Sequence, residues 1–167
     1  FKLSSADRNQ LRATYRSHLL RIVDFDLSSP NPLSAYESVS SALTKLTDAV
    51  LSAAMELAGK ELVSEGRLSA DQIKDCQLAV IAMGKTGAEE LNYVSDVDVI
   101  YVVDAESIDS GTKLATRLAA CLFEPDYEEG LWQVDANLRP EGKSGALVRT
   151  LEAHKTCLLY TSPSPRD

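Results

Sequence analysis

Two short apolar runs separated by a glycine-bearing turn constrain this chain more than any other feature. Leu78-Ala79-Val80-Ile81-Ala82-Met83 stops at Gly84, and Val97 to Val103 follows as a β-branched run. Runs of this length, bounded by turn signals, read as buried strands rather than helices. The stretch Leu131 to Leu138 reads as a third strand. Between the second and third, Ser107 to Phe123 carries Leu114, Leu118 and Leu122 at four-residue steps, the period of a helix.

Upstream of residue 77 the period is helical. Over residues 5 to 26, Leu11, Tyr15, Leu19 and Ile22 recur at spacings of four, four and three, with Ser4 or Ser5 as the expected N-cap. After the turn Ser28-Ser29-Pro30-Asn31-Pro32, a second helix is predicted through Leu33, Tyr36, Val39, Leu43, Leu46, Val50, Ala53 and Leu57, with Asn31 as its cap and Pro32 in its first turn. Running on to Val63, it would be roughly 45 Å long at about 1.5 Å per residue, enough to brace a sheet and reach a neighbouring domain. Helices first and an α/β sheet afterwards predict an α+β (mixed α/β) fold, with a helical lead-in over 1–75 and a sheet core over 76–156.

A length of 167 residues suits one domain with a small appendage, and 44% hydrophobic with 25% charged residues is an ordinary globular composition. Twenty-five acidic residues against 17 basic give a formal net charge of −8, which opposes non-specific nucleic-acid binding. No run of 18 apolar residues exists, so no membrane span is expected. Cys76, Cys121 and Cys157 are too scattered for a disulfide framework or a zinc site and read as reduced thiols of a cytoplasmic protein. The start lacks an initiator Met and the order of a signal peptide, so the chain is expected to be a fragment. From Cys157 to Asp167 the text matches one reading frame of a transposon end used in sequencing libraries. It is expected to be an adapter-derived, poorly ordered tail, with the natural sequence ending near Thr156.

The chemistry concentrates on acids. Asp96 and Asp98 flank Val97 at the opening of the second strand, so strand alternation aims both carboxylates to one face, about 6.5 to 7 Å apart at their α carbons. Two such acids repel unless a cation neutralises them, and hard oxygen ligands suit magnesium. An Asp-x-Asp alone is common in an acidic chain. Two further features add weight. Gly84-Lys85-Thr86-Gly87 follows the first strand, where glycine lets backbone N–H groups approach a phosphate closely. Asp135 lies inside the third apolar strand and, at a strand spacing of about 4.8 Å, would complete a three-carboxylate cage.

Strand, glycine turn, Asp-x-Asp and a later strand Asp together resemble the polymerase-β-like nucleotidyltransferase superfamily. More narrowly, Met83-Gly84-Lys85-Thr86-Gly87 through Leu91-Asn92-Tyr93-Val94-Ser95-Asp96-Val97-Asp98, with Val134-Asp135-Ala136-Asn137-Leu138-Arg139-Pro140-Glu141-Gly142, is similar to the bifunctional glutamine synthetase adenylyltransferase/adenylyl-removing enzymes. The resemblance implies a polymerase-β-like sheet preceded by two long helices. It also implies transfer of AMP to, or its removal by phosphorolysis from, a glutamine synthetase tyrosine. Asp96, Asp98 and Asp135 would be the catalytic acids, holding two magnesium ions about 3.5 to 4 Å apart. Gly84 and Ser95 would contact phosphates, while Lys85 and Arg139 would balance the charge of the nucleotide, ATP or ADP. The implied partners are adenylylated glutamine synthetase, phosphate and a PII-type regulatory protein.

Leu91-Asn92-Tyr93 is similar to the N-terminal, adenylyl-removing copy of that family, whose C-terminal copy more often has Gly in place of Asn92. The sequence departs from the family pattern at Thr86, commonly Leu, at Ala88, commonly Gly, and at Asn137, commonly Arg. Competing readings are the same fold run forward as an adenylyltransferase and a non-catalytic regulatory module. A dinucleotide-binding domain lacks its Gly-x-Gly-x-x-Gly spacing here. Plainer readings also stand beside the site: Lys85 as a surface lysine, Arg139 as a partner of Glu141, Gly142 and Gly145 as turn residues, and Trp132 and Cys121 as packing.

Overall fold

A computed structural model describes residues 7–161. The first helix, α1 (Arg8–Ser28), begins at Asp7, whose carboxylate accepts from the Gln10 backbone N–H at 2.7 Å. The expected caps Ser4 and Ser5 lie outside the described residues. Helix α2 (Pro32–Ser64) starts as predicted, with the Asn31 side chain accepting from the Ser34 N–H and Pro32 in the first turn. Its buried positions run from Ala35 to Leu62, while Leu33 and Tyr36 near its start stay exposed.

Helix α3 (Ala70–Asp75) was not anticipated, although Ser69 and Gln72 form a reciprocal capping box that the sequence spells out. Strand β1 (Ala79–Ala82) leads into the single turn α4 (Gly84–Gly87), then β2 (Val97–Val102), a short 3₁₀ turn (Ala105–Ser107) and α5 (Ile108–Phe123). Strand β3 is only Val134–Asp135, far shorter than the predicted Leu131 to Leu138. Both of its ends are claimed by other bonds. The Leu131 N–H donates to the Leu122 carbonyl at the end of α5, and the Asn137 N–H donates to the side chain of Asp135, turning the chain away. A second 3₁₀ turn (Gly142–Ser144), strand β4 (Val148–Arg149) and helix α6 (Leu151–Thr161) complete the order.

Helix α6 runs into the expected tail, where no helical period was read. An existing helix extends at little cost once nucleated, yet Leu158, Leu159 and Tyr160 stay exposed.

β2 is the organising strand. β1 pairs with it antiparallel, Ala82 opposite Val99, while β3 and β4 both pair with it in parallel, β3 at its beginning and β4 at its end. Val97, Val99 and Tyr101 point into one core shared with Leu46, Val50 and Leu57 of α2 and Leu114 and Leu118 of α5. The alternate residues, Asp98, Ile100 and Val102, occupy the other, less covered face. This is the expected α+β arrangement. No described helix is long and apolar enough to cross a membrane.

Candidate active site

The sheet register brings the acids together. Asp98 pairs with Asp135 across the parallel β2–β3 ladder, so the two side chains leave the same face of neighbouring strands. Asp96 stands one residue before β2. The carboxyl of Asp98 is held above its ordinary value, first by burial and then by the negative charges of Asp135 and Asp96. Neighbouring carboxylates oppose each other's ionisation in this way. Among the described residues no lysine or arginine forms an ion pair with any of the three.

Gly84 closes the site from the β1 side. The Met83 N–H donates to the Asp98 carbonyl at 2.9 Å, continuing the β1–β2 ladder by one pair, and the chain turns at Gly84 with φ of +51°. A Cβ on Gly84 would stand 2.5 Å from Asp98 Oδ2. Only glycine allows both the left-handed conformation and this approach of backbone to carboxylate. Two residues further along the turn, Thr86 is buried and its hydroxyl has no hydrogen-bond partner among the described residues.

The remaining predicted residues are placed as follows. Ser95 precedes Asp96 directly, and its hydroxyl accepts from the Asn92 N–H at 3.0 Å, closing the turn that delivers Asp96. Lys85 is exposed beside Gly84. Arg139 faces its own loop, donating to the carbonyls of Ala136 at 2.6 Å, Gly145 at 3.1 Å and Lys143 at 3.3 Å. The acid expected to pair with it, Glu141, is bound instead by Arg149 at 2.5 Å. Trp132 packs edge-on against Tyr15, with ring centroids 6.5 Å apart, and Cys121 is wholly buried with its thiol pushed up to about 12 by desolvation.

Asp98 and Asp135 share a face and Asp96 adds its charge, but the three form no closed cage: among the described residues no group of three or more Asp, Glu, His or Cys is drawn tightly enough around one point to hold an ion. One oxygen of Asp135 is turned to the Asn137 N–H at 2.7 Å. In charge and donor chemistry the trio nonetheless suits a hard divalent cation, which takes oxygen ligands.

Comparison with known proteins gives the family. The profile of the glutamate-ammonia ligase adenylyltransferases matches residues 4–158. The chain belongs to that family. Relatives named bifunctional glutamine synthetase adenylyltransferase/adenylyl-removing enzyme include one from Leifsonia xyli, 42% identical over 155 residues and 86% of this chain. One from Nocardia farcinica is 47% identical over 149 residues and 87% of the chain, and one from Cutibacterium acnes is 40% identical over 156 residues and 89%. The matched part is 15% of the Leifsonia protein's length and 14% of the Nocardia protein's.

Sequence reading missed the residues that hold the acid-bearing segments in place. Arg12 is fully buried on α1 and donates to the carbonyls of Cys121, Glu124 and Glu128. Arg16 donates to the Glu128 carboxylate and the Glu129 carbonyl. These bonds anchor the loop that runs on to β3. The one available signal was an arginine standing next to Leu11 on the apolar stripe of the first helix.

Proposed function

We propose that this chain forms the nucleotidyl-transfer core that removes AMP from a tyrosine of glutamine synthetase by phosphorolysis. The observation that carries the reading is the parallel register of Asp98 with Asp135 against the Gly84 turn. It gathers carboxylates from two strands beside a glycine turn. Family membership and the names of the relatives support glutamine synthetase as the protein acted on. The similarity of Leu91-Asn92-Tyr93 to the adenylyl-removing copy supports the direction.

In the proposed reaction an oxygen of orthophosphate forms a bond to the AMP phosphorus while the bond from phosphorus to the tyrosine oxygen breaks. ADP is released and the phenolate takes up a proton from water. A phenol with pKa about 10 is a far better leaving group than an alcohol. Asp96, Asp98 and Asp135 would hold magnesium, which when bound supplies charge stabilisation to the oxygens of the transferring group. Gly84 lets the turn lie close to a phosphate, and Lys85 beside it can offset phosphate charge. Ser95 fixes the turn that presents Asp96, and Arg139 keeps the loop after β3 in shape. Cys76 and Cys121 are free thiols, which supports a reducing, cytoplasmic setting.

The test incubates the enzyme carrying this sequence with adenylylated glutamine synthetase and phosphate. ADP formation, abolished by Asp96→Asn or Asp98→Asn with folding retained, is the expected result. Pyrophosphate release from ATP without phosphate-dependent ADP formation would assign the forward reaction instead. Activity unchanged by either substitution would overturn the catalytic assignment, leaving a regulatory module.

A further inference from the structure

One face of α1 touches the approaches to both acid-bearing strands. Tyr15, Leu19, Ile22 and Asp26 follow each other at steps of four, three and four, so they lie on one side of the helix. At one end of this face Tyr15 meets Trp132, two residues before β3. At the other end, about 16 Å along at about 1.5 Å per residue, the Asp26 carboxylate accepts from the Tyr93 hydroxyl at 2.8 Å. Tyr93 belongs to the turn closed by Asn92 and Ser95, three residues before Asp96. Between these two contacts Leu19, Leu91, Val97 and Trp132 help to line one small space of ≈ 30 Å³.

We propose that α1 is a positioning element that sets the gap between Asp96 and Asp135, through the Asp26–Tyr93 hydrogen bond on one side and the Tyr15–Trp132 ring contact on the other. This rests on the acids forming a metal-dependent centre. The turn from Asn92 to Ser95 lies outside every strand, so the bond to Asp26 ties Asp96 to the same rigid helix that fixes the segment leading to Asp135. A hydrogen bond to a charged acceptor is directional, and it selects one position of the turn among those its backbone allows. Neither Asp26 nor Tyr93 touches the acids, so both act through the segment they hold.

Titration of the chain with manganese alone, followed by electron paramagnetic resonance, tests the proposal beside urea unfolding of the same samples. Tyr93→Phe and Asp26→Asn are expected to weaken manganese binding about three- to tenfold, the effect of one ordinary hydrogen bond. The double variant should be no weaker than either single one, and Asp26→Glu should recover part of the loss. A merely structural role would lower the unfolding midpoint and leave manganese affinity untouched. Asp96→Asn separates the two layers. If it binds manganese like the unaltered chain, the metal-centre reading fails and the proposal with it. If it loses binding while Tyr93→Phe and Asp26→Asn keep full affinity, the positioning role alone is overturned.

Discussion

Asp98 sits between two other negative charges with the α carbon of Gly84 against its carboxylate, and both neighbours make it sensitive to small changes. Removing its charge relieves repulsion in the metal-free chain. Asp98→Asn is therefore expected to raise the urea midpoint slightly at neutral pH while abolishing ADP formation. A variant that lost stability as well as turnover would show that the acid is structural. Gly84→Ala places a methyl group 2.5 Å from Asp98 Oδ2 in a backbone conformation with φ of +51°. It should cost about 1 to 2 kcal/mol in unfolding experiments and displace the carboxylate, with loss of turnover.

At the scale of elements, α1 is bound to the rest of the unit by buried polar contacts rather than by apolar packing alone. The buried Arg12 guanidinium satisfies three carbonyls, that of Cys121 in the last turn of α5 and those of Glu124 and Glu128 beyond it. Arg12→Ala is expected to lower stability by about 3 kcal/mol or more, because those carbonyls lose their donors. Lysine should not restore it, since one ammonium cannot reach in the fork geometry of arginine. Further along, Glu61 of α2 accepts from Arg8 of α1 and Arg117 of α5, joining three helices. The hydrogen bond from Arg8 is the main cause that holds its carboxyl down to about 2. A depressed carboxyl contributes stability above its unfolded value near 4.5, and that contribution is lost as pH falls through the window toward 2. Equilibrium unfolding against pH should show this acid-side loss, and Glu61→Gln should flatten it.

These contacts mark where sequence stops being legible. The periods of α1, α2 and α5 could be read because each repeats an apolar stripe over many residues, and Asn31-Pro32 announced the start of α2. β1 and β2 were read from short β-branched runs bounded by turns. β3 was over-read because Leu131 and Trp132 are apolar for a different reason. They pack on α1 and the end of α5, outside any ladder. The nearness of Asp98 and Asp135 followed from reading both segments as neighbouring strands, whereas the carbonyl-binding role of Arg139 depends on a loop path that no local pattern specifies.

For the whole molecule, a single strand carries the architecture: β2 buries Val97, Val99 and Tyr101 against the helices and presents Asp98 on the opposite face beside Asp135. Helices cover one side of the sheet, and chemistry is assigned to the end of the other. The proposed function requires Asp96, Asp98 and Asp135, from two segments of chain, to serve one metal centre. The most direct measurement is the anomalous scattering of manganese in crystals of the chain grown with manganese and ADP. The account predicts density bordered by all three carboxylates next to Gly84; manganese bound elsewhere, or held without Asp135, would contradict it.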